Sequence, residues 1–526
     1  MKVKHAQQFI NLIFPAVVFG SVTGILTAVV VTLYKWCAKY AVHWSEIGYA
    51  YLREHWLWLP AVVLLLFGVA ALFSFAYKRR PNLRGGGIPT SIGILRGLIS
   101  FRWLRNLVGT FGLSLMTFLI GVPLGTEGPS VQMGTAIGRG SVFSLAKKHH
   151  AWDRYSMTGG ACAGFSVATG APISGLMFAI EEAHQRISPM IVIVSATSVV
   201  TAMLTSEWLA PLFGVGVSLF PALELPKLSI GEIWIPLVTG LVVGLFAVLF
   251  LKFYQKAAAF FSEKLSSIRP LYKILGVFIA TVLAGLFSFS FISTGHELIL
   301  HLLSDTPAIG ALILILLVRS VLTISANTNH VTGGIFLPLL AIGAVLSALL
   351  GKGAQLLLGL DERYYSVILV FGITACIAGM MKSPLTAIFF ALEALSCYHN
   401  LLYVIITAAT AFIITEVFDV KSINDSVLEH RMETIHNGHP PKVFDTYVTI
   451  KKDAFAVGKQ IRDIFWPANL FVLSVRHSAE HEARLDRHGG KELCEGDVLN
   501  VRYSTYDLQQ TKRELDAIVG EQEDVS

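Results

Sequence analysis

Three acidic residues stand in apolar surroundings where a carboxylate could do chemistry. Between Glu54 and Glu127 the chain has no acidic residue, and Glu127 then follows within GTEGPS, whose glycines and proline exclude an ordinary helix. Glu181 and Glu182 are neighbours in FAIEEAH, about 100° apart on a helix, so they cannot share one environment. A carboxylate inside a membrane costs about 2.5–3.5 kcal/mol on insertion scales, so its default interpretation is functional. Glu127 is therefore a candidate functional residue, and Glu181 and Glu182 must have separate roles.

Three segments rich in glycine and proline could bind an anion: GGGIP (85–89), GTEGPS (125–130) and GGIFLPLL (333–340). Each precedes or opens an apolar run, where proline suits the first helical turn and glycine exposes backbone N–H groups. A helix N-terminus carries about half a positive charge and unpaired donors. Several such ends meeting inside a bilayer would hold a small anion and still release it. Tight helix packing accounts for any one motif alone, but all three together favour anion binding.

The elements that must position these motifs are membrane helices. The 526 residues are 54% hydrophobic and only 14% charged, whereas about 25% is usual in soluble domains. Several apolar stretches reach the ~20 residues that span a bilayer, and others are short or broken. We therefore predict an all-α polytopic membrane protein with part-spanning helices. The apolar stretches lie at roughly 9–34, 57–76, 106–123, 190–213, 233–252, 272–293, 308–325, 335–350, 365–381 and 402–417.

Basic residues cluster at a few places along the chain, between Lys78 and Arg105 and again at Lys147 and Lys148. The positive-inside rule places both clusters on the cytoplasmic side, which accounts for them better than nucleic-acid binding does. The N-terminus reads as a retained first helix rather than a cleaved signal. We expect a multi-pass protein of the cell membrane with both termini in the cytoplasm and no nucleic-acid partner. The five cysteines have no metal-ligand spacing, so we expect neither a metal nor a disulfide.

The membrane part repeats itself. GAPISGLMFAIEE (170–182) matches KSPLTAIFFALEA (382–394), so that Pro172 pairs with Pro384 and Glu181 with Glu393. The glycines and proline of the second motif recur in the third at nearly the same separation. Duplicated halves with broken segments in corresponding places are typical of transporters whose substrate site lies near the midplane. We assign a membrane domain to 1–430, with halves of opposite orientation at about 10–225 and 226–420.

A small cytoplasmic α+β domain follows. We assign 431–445 as a linker, because of its proline pair and glycine, and 446–526 as the domain. TYVTI and LFVLSVRH have the alternating pattern of strands, and AFAVGKQIRDIF and DLQQTKRELDAIV have helical periodicity.

The order and spacing of GGGIP, GTEGPSVQ, GAPISGLMFAIEE and GGIFLPLL resemble the CLC family of chloride channels and proton-coupled chloride exchangers. The resemblance covers nearly all of 10–430. It implies a transporter rather than an enzyme, with chloride or a similar small anion, protons and the lipid bilayer as its partners. It also implies a homodimer with one anion pathway in each subunit.

The resemblance implies roles for individual residues. Glu127 matches the external gate, whose carboxylate occupies an anion site when deprotonated and swings away when protonated. Glu182 matches the inner glutamate of the proton route in exchangers. The anion contacts carry over to Gly86, Gly87, Ile88, Gly128, Ile335, Phe336 and Asn424.

The sequence departs from the family pattern at three positions. Gly86 replaces a serine, Thr126 replaces an arginine beside the gate, and Asn424 stands where the pore tyrosine is expected. Chloride remains the favoured anion, but nitrate, fluoride or another halide stays open. Retention of Glu127 and Glu182 favours proton-coupled exchange, with a passive anion channel as the alternative.

Residues 446–520 resemble the TrkA-C (RCK-C) regulatory domain of potassium-transport proteins, through IRDIFWPANLFVLSVRH and LCEGDVLNVRY. Such domains pair as dimers, and some bind a cyclic dinucleotide between the copies. This implies no cofactor apart from that regulatory ligand. A folding or dimerisation module without a ligand is the alternative. The element that would line the pocket contains Arg462, Asp463, Ile464, Pro467 and Asn469.

Two further functional classes compete with transport. HELILH (296–301) resembles the zinc motif of a metalloprotease, but its histidines are five residues apart, whereas ligands on one helix face must be four apart. A membrane sensor with vestigial broken helices is the second class, and anion flux in liposomes separates it from a transporter.

Overall fold

The computed structural model describes residues 2–145, 150–185, 188–436, 440–467, 469–476 and 492–522. The predicted Lys147–Lys148 cluster lies outside these ranges. Among the described residues, ten helical segments are long and apolar enough to cross a membrane, and they coincide with the ten apolar stretches of the sequence. The predicted class of helical, multi-span membrane protein is confirmed. The first half contains α1 (Lys2–Glu54), α2 (Leu59–Arg79), α3 (Ile88–Leu95), α4 (Trp103–Ile120), α5 (Glu127–Leu145), α6 (Asp153–Thr169), α7 (Pro172–Phe178) and α8 (Pro189–Phe213).

The second half repeats this order helix by helix. Helices α3 and α11 are both short, and each follows a glycine with positive φ, Gly87 at 86° and Gly295 at 98°. Helices α7 and α15 begin at the matched prolines Pro172 and Pro384. The second half contains α9 (Trp234–Glu263), α10 (Pro270–Phe287), α11 (His296–Ser304), α12 (Ile309–Thr328), α13 (Phe336–Leu358), α14 (Tyr365–Cys376), α15 (Pro384–Glu393) and α16 (Leu401–Val417).

The halves hold each other through exchanged helix caps. The Glu181 carboxylate accepts hydrogen bonds from the backbone N–H groups of Leu385 (2.8 Å) and Thr386 (2.7 Å), at the start of α15. Glu393 accepts in the same way from Ile173 (2.8 Å), at the start of α7. A carboxylate at a helix N-terminus satisfies unpaired donors and complements the helix dipole. The sequence match between Glu181 and Glu393 therefore corresponds to one reciprocal structural role.

The segment assigned as a linker is largely occupied by regular structure. Helix α17 (Ile423–His436) extends into it from the membrane side, and β1 (Lys442–Thr449) begins inside it. Residues 437–439 of that segment lie outside the described residues.

The C-terminal region is a small antiparallel sheet covered by a helix. Strands β1, β2 (Leu470–Arg476) and β3 (Val498–Thr505) pair in the order β1-β3-β2, and α18 (Leu508–Val519) follows. The α+β class, both strands taken from the sequence and the final helix are confirmed.

The prediction of a helix over 454–465 is wrong. That segment forms turns and a short 3-10 helix, Ile461–Asp463. Its backbone donors bond to other segments, Ala456 to the Ile518 carbonyl (2.9 Å) and Gly458 to the Leu493 carbonyl (2.8 Å). Gly458 also has a positive φ of 74°, which a continuous helix does not allow.

The C-terminal domain contacts the membrane domain through Phe465 and Trp466. The Phe465 N–H donates to the Tyr155 hydroxyl at 2.9 Å, and the Arg154 guanidinium lies 4.2 Å from the centre of the Phe465 ring. Arg154 also donates to the carbonyls of Trp466 and of Leu95, the last residue of α3. One buried arginine thus connects the C-terminal domain to α3.

Candidate functional site

Three glycines bring the beginnings of α3, α5 and α13 together. A Cβ on Gly128 would lie 2.6 Å from the Gly334 Cα and 3.0 Å from the Gly87 Cα, so only glycine permits this approach. Gly125 and Gly334 exchange two backbone hydrogen bonds, at 2.6 and 2.9 Å. The first turn of a helix leaves N–H groups without intrahelical acceptors. The three motifs chosen from the sequence therefore form one junction of helix N-termini.

The predicted anion contacts are buried around this junction, but their donors are not all free. The Gly87 N–H donates to the Gln132 side-chain oxygen at 2.7 Å, and the Gln132 amide donates to Asn106 at 2.7 Å. Gln132 is a site residue that the sequence interpretation missed, although it lies inside the quoted motif GTEGPSVQ. Gly86, Ile88, Gly128, Ile335 and Phe336 are all buried.

Glu127 is the first residue of α5 and is fully buried. One carboxylate oxygen accepts a hydrogen bond from the Thr126 hydroxyl at 2.9 Å. The other oxygen has no hydrogen-bond partner within the described part of the chain. A buried charged oxygen without a partner is costly, so this carboxylate is held by few side-chain contacts.

Two cationic side chains act electrostatically on Glu127, Lys35 of α1 and His296 of α11. The Lys35 ammonium donates to the carbonyls of Val167 and Gly216, both at 2.9 Å. A ring nitrogen of His296 lies 2.7 Å from the Leu219 carbonyl. Lys35, and His296 in its protonated form, therefore place positive charge near Glu127.

Glu182 lies in a π-helical turn, Ala179–His184, directly after α7. One of its oxygens accepts from the Ser383 hydroxyl at 2.7 Å, and the other accepts from the Asn424 amide. Arg96 donates to the Glu182 carbonyl at 2.8 Å and forms an ion pair with Asp425 at 3.0 Å. Both the carboxylate and its backbone are therefore fixed. π-helical turns often occur at functional sites.

Asn424, an expected anion contact, lies beside Glu182. Its amide nitrogen donates to a carboxylate oxygen of Glu182. Ser383 was missed, although it directly precedes Pro384, the residue that the internal repeat matches to Pro172. The repeat pairs Ser383 with Ala171, so it gave no signal for this hydrogen-bond partner of Glu182.

Aromatic rings connect the helix junction with the turn that carries Glu182. Phe336, the first residue of α13, packs edge-on against Phe165 at 5.2 Å. Phe165 stacks on Phe178, the last residue of α7, at 5.7 Å. An apolar aromatic cluster therefore lies between the helix junction and the turn of Glu182, and a proton that passed through it would need titratable side chains or water.

The residues suggested as a regulatory pocket do not share one environment. Ile464 packs into the core of the C-terminal domain, and Pro467 is buried near the membrane domain. Arg462 and Asn469 are exposed. Asp463 closes the short 3-10 helix.

The family is shown by a sequence model described as "Voltage gated chloride channel", which matches residues 69–416. The chain belongs to this family. The CLC assignment agrees with the ten apolar helices, and the protein is a multi-pass membrane protein. Among the described residues, no three His, Cys, Asp or Glu side chains form a group that could hold a metal ion.

Curated relatives and solved structures extend the similarity over most of the CLC domain. The chain is 27% identical over 426 residues to the H(+)/Cl(-) exchange transporter ClcA of Klebsiella pneumoniae, covering 80% of this chain and 89% of the relative. It is 27% identical over 433 residues to ClcA of Vibrio parahaemolyticus, covering 80% and 90%. A slow cyanobacterial Cl-/H+ antiporter has a similar fold, with TM-score 0.72, 24% identity, and coverage of 80% of this chain and 99% of that one. A CLC-type fluoride/proton antiporter gives TM-score 0.64, 21% identity and coverage of 78% and 97%.

Proposed function

We propose that this CLC protein exchanges chloride for protons across the membrane. The observation that carries the proposal is the pair of buried acids, Glu127 at the helix junction and Glu182 on the π-helical turn. An anion conductor needs no second buried carboxylate, whereas a proton route needs titratable groups along its length. The names of the curated relatives, H(+)/Cl(-) exchange transporters, support the same function.

The outer acid acts as a gate that competes with the anion. A deprotonated Glu127 is attracted by the N-termini of α3, α5 and α13 and by the positive charges of Lys35 and His296. Protonation removes that attraction, and the bond from Thr126 is then the one side-chain hydrogen bond within the described residues that retains the carboxyl group. The carboxyl group leaves and chloride takes the same position. Loss of the proton to the outside returns the carboxylate and expels the anion.

The inner acid passes protons between the cytoplasm and the gate. Glu182 is held by Ser383 and Asn424, so it exchanges protons without moving far. The arginine–aspartate pair below it, Arg96 with Asp425, keeps the π-helical turn in place. Glu127 responds to both the anion and the proton, whereas Glu182 passes protons alone. Anion exchange at Glu127 is therefore linked to proton transfer in the opposite direction.

The protein works as a homodimer in the cell membrane, with one pathway per subunit and both termini in the cytoplasm. The basic residues between Lys78 and Arg105 support this orientation through the positive-inside rule.

The C-terminal domain is a TrkA-C-like regulatory module that modulates transport. Its contact with Tyr155, and the edge-on packing of Phe465 against His184 at 4.5 Å, support this role, because His184 ends the turn that carries Glu182. A cyclic dinucleotide bound between two copies of the module is the proposed ligand. The exposed side chains of Arg462 and Asn469 are accessible to it.

The purified protein in liposomes tests the function directly. An imposed chloride gradient should drive protons uphill, recorded with a pH-sensitive dye while chloride flux is measured with an electrode. Anion flux without proton movement would support the passive channel. Absence of any anion flux would support a sensor. Repeating the assay with nitrate, fluoride and bromide decides the anion preference.

A further inference from the structure

A second group of cationic side chains lies beside α3, apart from both acids. Arg431 of α17 is only 3% exposed. One of its terminal nitrogens donates to the Thr90 hydroxyl in the first turn of α3, and the other donates to the Asn82 carbonyl at 2.8 Å. Its Nε has no hydrogen-bond partner in the described ranges. A buried guanidinium donor thus remains unused next to a helix N-terminus.

Arg84 adds to this positive charge instead of compensating it. It is half-buried, and Arg431 donates to the Asn82 carbonyl, two residues before Arg84, so the two positive charges are near each other. Tyr77 lies close to both arginines and shares a 2.7 Å hydrogen bond with Thr332. Within the described part of the chain, neither Arg84 nor Arg431 forms an ion pair with a carboxylate. Two neighbouring cations without an acid are expensive to bury unless an anion accompanies them.

This cluster adjoins the helix junction. Thr90 is three residues beyond Gly87, a rise of about 4.5 Å along α3. Thr332, which bonds to Tyr77, lies beside Gly86, because a Cβ on Gly86 would be 3.4 Å from its methyl group. An anion held near Arg431 would therefore be close to one held at the junction. Closely spaced sites lower the barrier to release, because neighbouring ions repel each other.

A buried arginine in the second half has a different environment. The terminal nitrogens of Arg319 donate to the carbonyls of Ser290, Ile292 and Ser293 at 2.7–3.2 Å. Its Nε has no hydrogen-bond partner in the described ranges, as in Arg431. Carbonyl groups accept from both of its terminal nitrogens, however, and no second cation among the described side chains acts on it, so Arg319 has a structural role.

We propose that Arg431, Arg84 and the Thr90 end of α3 form an additional binding site for a small monovalent anion, chloride or another halide. The site rests on the proposed function in one respect, that its ligand is the transported anion. It compensates for Gly86, which lacks the serine hydroxyl expected at that position. The arginines concentrate the anion next to the junction and pass it to the helix N-termini.

Bromide diffraction tests the site without reference to transport. Crystals of the full-length protein grown in bromide should show an anomalous peak within hydrogen-bonding distance of Arg431. The peak should vanish in Arg431→Gln and remain in Arg105→Gln, which removes an exposed arginine of the same basic region. Bromide at the helix junction without bromide at Arg431 would overturn the inference and leave the proposed function intact.

Flux measurements test whether the site serves transport. Arg84→Gln, at the half-buried position, should raise the chloride concentration for half-maximal flux about tenfold and change the maximal rate little. Arg105→Gln should change neither value, and Arg319→Gln should lower thermal stability without changing half-saturation. If Arg84→Gln and Arg105→Gln changed the half-saturating chloride concentration equally, the effect would come from general surface charge, and the inference would be overturned. If the wild-type protein moves no anion, the proposed function fails, and the bromide peak alone then decides the site.

Discussion

The two buried acids have opposite environments. Glu127 is 0% exposed and Glu182 is 5% exposed. Yet Glu127 accepts one side-chain hydrogen bond, whereas both oxygens of Glu182 are bonded. A group with few contacts moves at low cost, and a group with a complete set stays in place. The comparison indicates that the outer acid is built to leave its position and that the inner acid is built to keep it.

The local backbone accounts for the difference. Glu127 begins a helix in a stretch of glycines, where close backbone approach leaves helix N-termini but few side chains around it. Glu182 lies on a π-helical turn that directs it to Ser383 and Asn424, while Glu181 caps α15. Two consecutive glutamates thus have separate environments, and the proposed division between proton transfer by Glu182 and helix capping by Glu181 rests on that difference.

The largest expected effect comes from removing the gate charge. Glu127→Gln cannot release a proton or compete as an anion, so proton movement should fall to background while chloride flux continues. Paired pH and chloride recordings in liposomes check this. The control is Glu362→Gln, an exposed acid at the start of a different segment, which should retain coupling. Proton pumping at the wild-type rate in Glu127→Gln would remove this residue from the mechanism.

Removing the inner acid should separate proton movement from anion movement in a different way. Glu182→Gln should lower the proton rate by about tenfold or more, since a positioned acid contributes at least that much to proton transfer. Anion flux should stay near the wild-type level. The adjacent substitution Glu181→Gln is the matched control and should leave coupling unchanged. Equal losses in both variants would contradict the separation of roles.

The ligands of each acid allow a finer test. Ser383→Ala removes one hydrogen bond of about 1 kcal/mol from Glu182 and should slow protons about fivefold without changing anion flux. Thr126→Val removes the bond to Glu127 and should instead increase chloride flux at high pH, because the gate is released more easily. The same liposome recordings across a pH series measure both. Slower chloride flux in Thr126→Val would show that threonine does not restrain the gate.

The exchanged caps should affect stability rather than transport. Glu181→Gln and Glu393→Gln each weaken the capping of one helix, which we expect to cost about 1 kcal/mol of stability. Thermal unfolding in detergent should show similar decreases in Tm for the two variants, because their roles are reciprocal. A large decrease for one of them alone would mean that the two caps are not equivalent.

The smallest expected effect on transport comes from the C-terminal domain, whose Phe465 packs against His184, two residues after Glu182. Phe465→Ala removes the ring that packs on His184 and under Arg154, and it should change the proton rate about twofold, a shift of a few tenths of a kcal/mol. Phe471→Ala, an exposed position on β2, is the control. Unchanged transport in Phe465→Ala would indicate that docking does not reach Glu182.

A candidate site residue could be predicted from the sequence where one short motif contains it. GTEGPS identifies Glu127, because an acid between helix-breaking residues in an apolar stretch is costly to insert and is seldom retained without a function. The partners of the acids were harder to identify. Ser383 lies 201 residues from Glu182 and Gln132 lies 45 residues from Gly87, so no local pattern joins them. The helix expected over 454–465 failed for the same reason, because distant segments accept its backbone hydrogen bonds.

The sequence by itself determined the membrane class, the internal repeat and the candidate acids, because hydropathy and helix-breaking residues act locally. Only the tertiary structure decided which donors each acid receives, how Glu181 and Glu182 divide their roles, and where Arg431 meets α3. These outcomes depend on packing between helices that are far apart in the chain. The energy of a buried charge depends on the groups that surround it, and the fold determines which groups those are.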